Sequence, residues 1–278
     1  SSALASHAIA GLVAEFGRLE SKYSRYLPGS QISQLNHFAG RGVSLPIDEE
    51  TLGLCEYVTT LWRESNGLFD PTSGVLQRVW DFHGNQLPAA ADIDQLLPLI
   101  GWDKLQYDTQ GWSLPLVGMQ VDFGGLAKEY AADCGRHLLL GLDVKHALIN
   151  LAGDITTVGR QGNDKPWPVG IRHPRGGEQA SAHAELAGGA IASSGDYERS
   201  IVINGRHYGH ILNPLTGWPV EGLVGASVLA DQCLVAGGAA TTAILKPRTD
   251  GLAWLESLGV PWFAVDRKLC AYGPLAQP

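Results

Sequence analysis

From Lys104 onward the chain is written in short strand-like runs, LQY, WSLPLV, MQVDF, ALINLA, ITTVG, WPVGIRH, AIASS and SIVIN, and this texture limits the fold more than any other feature. One strong helical pattern, from Leu126 to about Leu140, interrupts the runs. Two more, DQCLVAGGAATTAIL and GLAWLESLG, fall between the strand-like ASVLA and WFAVD. Runs of strands with segregated helices predict an α+β fold. Before Lys104 the pattern is helical. Leu4, Ala8, Leu12, Phe16 and Leu19 share one face of a first helix, and Leu52, Cys55, Val58, Leu61 and Trp62 share a face of a second, from about Asp48 to Ser65. YLPGSQISQLN reads as a loop, SNGLFDPTSG as a turn-rich break and DIDQLLPLI as a short helix. No linker, low-complexity stretch or repeat divides the 278 residues, so a single domain over 1–278, with lobes at most, is expected.

A net charge of −8 without a concentrated basic stripe argues against a nucleic-acid partner. No apolar run approaches the length of a bilayer span. Ser1 opens directly into the first helical pattern with no signal segment, and a processed or truncated precursor would begin the same way. Cys55, Cys134, Cys233 and Cys270 are scattered, without the spacing of a zinc site.

Four segments carry more polar residues than packing requires: MQVDFGGLAKEYAAD, INLAGDI, SSGDYERS and HYGHILNPLTGWP. In the first, a strand is expected to end at Asp122. Two glycines then let a ligand approach the backbone, and a helix opens whose free N–H groups favour anions, with Lys128 in its first turn. The plainer reading makes Asp122 an N-cap. The segment is not GxGxxG, which removes a Rossmann reading. Asp154 follows a glycine at a strand end, where it either binds a hydroxyl or, the favoured reading, serves only its own turn. Ser194 near Asp196 lacks the GxSxG context of a serine hydrolase. His207 and His210 stand three apart in a strand-like run and so face opposite ways, which argues against a shared metal but leaves His210 available as a general base.

DQCLVAGGAATTAIL holds an anomaly of its own, since Gly237 and Gly238 each cost about 1 kcal/mol relative to alanine inside a helix.

Read in order, SRYLPGSQISQLN, GLFDPTSG, VDFGGLAKEYAAD, INLAGD, SSGDYER and HILNPLTGWP resemble the ApbE-like family of FAD:protein FMN transferases. The resemblance implies a nucleotide cleft between two lobes. It implies cleavage of the FAD pyrophosphate with transfer of FMN to a threonine or serine hydroxyl of an acceptor flavoprotein, release of AMP and use of bound Mg2+. Carried over position by position, Tyr26, the stretch Trp80, Asp81 and Phe82, then Asp122, Lys128 and Ile211 match nucleotide-contacting positions, and His210 falls on the proposed base. The Gly125 carbonyl and the Thr241 hydroxyl match metal contacts.

The third metal contact does not carry over. The family helix reads close to ADALAT, whereas residues 236–241 here read AGGAAT, so Gly237 stands where the aspartate is expected. Asp231, six residues before Gly237, lies off the Thr241 face and is a poor replacement. Magnesium prefers carboxylate oxygens, so the resemblance leaves two outcomes open: a working transferase, or a protein that binds FAD with weak or no transfer. A third, blander outcome is an interaction domain that has kept the fold and lost the nucleotide. Glu129 replaces the usual glycine of AKG and Asn213 the usual aspartate of HIxDP, departures expected to alter affinity only. The resemblance also suggests a bacterial periplasmic or membrane-exterior location.

Overall fold

The computed structural model of the chain describes residues 2–176, 180–196 and 199–276. Its helices are α1 (Ser2–Tyr23), α2 (Gln31–His37), α3 (Glu49–Glu64), α4 (Ala90–Leu96), α5 (Ala127–Gly141), α6 (Cys233–Leu245) and α7 (Arg248–Ser257). Its strands are β1 (Gln106–Asp108), β2 (Gly111–Ser113), β3 (Ala147–Leu151), β4 (Asp154–Val158), β5 (Trp167–Arg172), β6 (Ala180–Leu186), β7 (Gly189–Gly195), β8 (Ser200–Ile203), β9 (Arg206–Gly209), β10 (Leu223–Ala230), β11 (Trp262–Asp266) and β12 (Ala271–Tyr272). The chain divides into two compact units. The first comprises Ser1–Glu20, Gly124–Tyr197 and Glu221–Pro278, and the second Ser21–Phe123 and Glu198–Val220.

The first unit is built on an antiparallel six-stranded sheet in the order β12-β11-β10-β7-β4-β3. Strand alternation sends Ile155, Ile191, Phe263 and Val265 to one face, where the β5–β6 hairpin covers them with Val169, Ile171, Ala182, Ala184 and Leu186. The opposite face receives helices: α6 packs on β7 and β10, and α5 on β3, β4 and α6. Ala8, Leu12 and Phe16 of α1 join Leu139, Ile149 and Val158 in a separate apolar cluster; of the other two residues expected on that face, Leu19 is buried and Leu4 is exposed. Asp154 opens β4 and is of the same parity as Val158, so its side chain belongs to the helix side of the sheet. A two-residue turn puts it there, with φ of 52° at Ala152 and 101° at Gly153.

The second unit gathers α2–α4, the hairpins β1–β2 and β8–β9, and a 3-10 helix at Pro71–Arg78. Val75, Leu76, Trp80, Ile93, Ile100 and Ile201 form its core, edged by Tyr208 and Trp218. Asp70 anchors the 3-10 segment: its carboxylate accepts from the Thr72 amide at 2.8 Å, the Thr72 hydroxyl at 2.5 Å and the Trp102 amide at 2.8 Å.

Three expectations fail. YLPGSQISQLN is not all loop, because Ser30 accepts from the Ser33 amide at 3.0 Å and caps α2, burying Ile32 and Leu35. WSLPLV forms a strand only over its first two residues, within Gly111–Ser113. MQVDF forms none. The Asn36 side chain satisfies Val121 on both sides, accepting from its amide at 2.7 Å and donating to its carbonyl at 2.9 Å, while the Asp122 amide bonds the Pro71 carbonyl.

Candidate functional site

In the first unit, α5 and α6 lie against each other through two acids one turn apart on α5. Asp133 accepts from the Cys233 amide at 2.8 Å and the Leu234 amide at 2.9 Å, and thereby caps the start of α6, whose own N-cap residue Gln232 contributes no side-chain bond. Glu129, four residues earlier, meets Gly237. A Cβ placed on Gly237 would lie 2.6 Å from the Glu129 Cγ, 2.9 Å from its Oε1 and 3.1 Å from its carboxyl carbon. Advancing from 129 to 133 on α5 matches retreating from 237 to 233 on α6, so the two helices run antiparallel in a defined register.

That register explains Gly237: alanine would drive into a buried side chain. Gly237→Ala is therefore expected to cost about 1–3 kcal/mol of stability. The loss should shrink in a Glu129→Ala background, and an equal loss in both backgrounds, measured by denaturant melts, would show that Glu129 is not what fills the gap.

Glu129 is 6 % exposed, and its Oε2 has no hydrogen-bond partner. Burial, aided by the charge of nearby Asp154, pushes its carboxyl up to about 7. Asp154 is 1 % exposed. It pairs with the Lys128 ammonium at 2.6 Å and accepts from the Ser193 amide at 3.1 Å. It thus serves a lysine and a neighbouring strand rather than the local turn expected of it. Lys128 and Glu129 both occupy the first turn of α5, whose N-cap residue Leu126 offers no side-chain bond. Asp122, expected as the end of a strand or as an N-cap, is neither.

Ser194 lies within β7, opposite Ala226, and Asp196 is held by Arg175 at 2.9 Å, an arrangement with no nucleophile elbow. Tyr197 and Glu198 of the SSGDYER segment lie outside the described residues. The four cysteines are free. Cys55 and Cys233 are buried, and burial pushes the Cys55 thiol up to about 12.

In the second unit Asp122 bonds Arg25 at 3.1 Å and Gln77 at 3.0 Å, and Arg25 lies over the ring of Tyr26 at 5.9 Å. Tyr26 itself is 73 % exposed, an aromatic face open for stacking. Trp80 is buried and donates to the Gly217 carbonyl at 2.8 Å. It stacks on half-buried Phe82 at 5.4 Å and meets Trp218 edge-on at 5.5 Å, so of the Trp80–Phe82 stretch it is Phe82 that borders solvent while Trp80 supports it. Asp81 is exposed and accepts from the His83 amide at 2.9 Å.

His210 stands just past β9. Its Nδ1 lies 3.2 Å from the Arg199 carbonyl, which also takes the His210 amide. A carbonyl can only accept, so Nδ1 carries a proton in this contact. Ile211 is half-buried and its carbonyl accepts from the Val220 amide. Asn213 accepts from the Leu215 amide at 2.8 Å, the turn that an aspartate would make, which accounts for the tolerance of asparagine there.

Buried acids and a lysine thus stand at the head of a glycine-led helix that packs on an antiparallel sheet. The chain belongs to the ApbE family, whose sequence profile matches residues 3–263. It is 31% identical to an FAD:protein FMN transferase of Rhodobacter capsulatus over 93% of this chain and 50% of that one. It is 34% identical to one of Klebsiella pneumoniae over 69% of this chain and 60% of the relative. The chain thus spans about half of the first relative's length and three fifths of the second's. Crystal structures of an ApbE protein of Thermotoga maritima and of apo Pseudomonas stutzeri flavinyl transferase ApbE share the fold, each with a TM-score of 0.87. They are 27% and 28% identical to this chain, covering 96% and 98% of it and 88% and 87% of their own chains.

Proposed function

We propose that this chain is an FAD:protein FMN transferase that moves the FMN half of FAD onto a threonine or serine hydroxyl of an acceptor flavoprotein, releasing AMP, with Mg2+ as its resident cation. The observation that carries the reading is family membership over nearly the whole chain, joined to relatives that bear this activity in their names. In the reaction the acceptor oxygen bonds to the FMN phosphorus, the bond from that phosphorus to the bridging oxygen breaks, and the hydroxyl proton leaves to a base.

Phosphoryl transfer asks a protein for positioning and charge neutralisation more than for covalent chemistry. In the first unit the uncapped N-terminus of α5 and Lys128 are suited to the phosphates. The family resemblance assigns the Gly125 carbonyl, in the turn before α5, and the Thr241 hydroxyl on α6 as two oxygen donors for a hard cation. One observation fits such an ion: the buried Oε2 of Glu129 makes no hydrogen bond, on a side chain that lies against Gly237. When bound, Mg2+ would neutralise charge developing on the phosphate oxygens. In the second unit Tyr26, Phe82 and Ile211 offer apolar and aromatic surface to the flavin nucleotide, Asp122 holds Arg25 beside Tyr26, and His210 is the base through Nε2.

The competing reading, FAD binding without turnover, rested on the loss of a carboxylate at Gly237. Glu129 brings a carboxylate to that very contact, which favours transfer. Incubation with FAD, Mg2+ and a threonine-bearing acceptor flavoprotein is expected to yield flavin-labelled acceptor and equimolar AMP. Neither product under metal-replete conditions would defeat the reading. Among the described residues no helix is long and apolar enough to cross a membrane.

A further inference from the structure

The acids at the head of α5 are not equivalent. Asp154 has the Lys128 ammonium at 2.6 Å and the Ser193 amide at 3.1 Å. Asp133 has two amides of α6. Glu129 is as buried as Asp133 and lies close to the Asp154 carboxyl, and its Oε2 makes no hydrogen bond; Asp154 Oδ2 makes none either but has the Lys128 ion pair, which Glu129 lacks. A carboxylate in that position either stays protonated or binds a cation, because an uncompensated buried charge costs several kcal/mol by order of magnitude. The side chain lies against a helix position without a Cβ, one turn before Thr241 on the same face of α6.

We propose that Glu129 is the anionic ligand of a divalent-cation site at the α5–α6 contact, delivering from α5 the carboxylate that α6 lacks at Gly237, with the Thr241 hydroxyl and the Gly125 carbonyl as further oxygen donors. The assignment rests on the flavin-transfer reading for the identity of the natural cation, Mg2+, and on the family resemblance for Thr241 and Gly125; the placing of Glu129 stands on this chain's own geometry. Carboxylate, hydroxyl and carbonyl oxygens suit a hard cation such as Mg2+ or Mn2+ rather than zinc.

The test is a Mn2+ titration of the full chain in the absence of FAD, with free Mn2+ followed by electron paramagnetic resonance. One saturable site per chain is expected. Glu129→Gln should weaken it by at least roughly tenfold. The same substitution should leave the metal-free protein as stable as the parent or more so, since it removes an unpartnered acid; a carboxylate with a merely structural role would instead lose stability and leave Mn2+ affinity alone. Pairing Glu129→Gly with Gly237→Asp moves the carboxylate to the other helix and should restore the affinity to within a few-fold of the parent. Absence of a saturable site, or parental affinity in Glu129→Gln, overturns the assignment.

Its failure is distinguishable from that of the functional reading. Mn2+ binding through Glu129 in a chain that leaves FAD intact keeps the ligand and removes the transferase. FMN transfer with an unchanged Mg2+ requirement in Glu129→Gln removes the ligand and keeps the transferase.

Discussion

His210→Ala is expected to slow FMN transfer roughly 10²- to 10⁴-fold, the usual range for removal of a general base. The reason lies in the hydrogen bond from Nδ1 to the Arg199 carbonyl at 3.2 Å, which orients the ring and leaves Nε2 as the nitrogen assigned to the proton transfer in the proposed reaction. A base works only when unprotonated, so the parent rate should fall on the acid side of the imidazole's titration. That limb should vanish in the variant, and added imidazole should return part of the rate. Mn2+ affinity should be untouched. A pH–rate profile of unchanged shape in His210→Ala would remove the histidine from the chemistry.

Asp133→Ala carries the largest expected effect on stability. The carboxylate is 6 % exposed and satisfies two amides at the start of α6, at 2.8 and 2.9 Å, a task usually done by a residue next to the helix itself. Removing it strands both donors. Hydrogen bonds to charged groups contribute about 1.5–3 kcal/mol each, and a stranded buried donor costs about 1–3 kcal/mol. A loss near 3 kcal/mol, or roughly 6–12 °C in the thermal midpoint, is expected. Asp133→Asn keeps one acceptor oxygen and should lose about half as much. Calorimetry decides the matter, and a midpoint within about 1 °C of the parent for Asp133→Ala would mean that water or another group caps α6.

How much of this was legible beforehand depended on how far apart the partners lie in the chain. The second helix was readable nearly to the residue because its signals are local: Asp48 caps through the Thr51 amide at 2.9 Å, and the apolar residues recur with helical spacing. The α+β class followed from strand runs whose alternation survives in β5 and β6 as inward Val169, Ile171, Ala182 and Ala184. Even so, β6 escaped notice because alanine supplies its inward positions, and alanine carries little strand preference. MQVDF alternates like a strand, but its backbone is satisfied by an asparagine side chain, which alternation cannot reveal.

The acids followed the same rule. Asp154 read as a turn residue because its partners, Lys128 and Ser193, come from other elements. Glu129 and Gly237 were each visible as departures from the family pattern. Only contact between their helices shows that they are one change rather than two, and a glutamate in a helix's first turn gave no sign of being buried. Asn213 was the opposite case: its turn is local, so the substitution could be recognised as conservative without any tertiary information.

The crowding between Glu129 and the space above Gly237 also has an evolutionary consequence. A lineage cannot comfortably hold side chains at both places, and one holding neither forfeits the acid altogether. Homologues should therefore fall into two camps, small at 129 with aspartate at 237 or glutamate at 129 with glycine at 237, and the passage between them should have needed two substitutions in close succession.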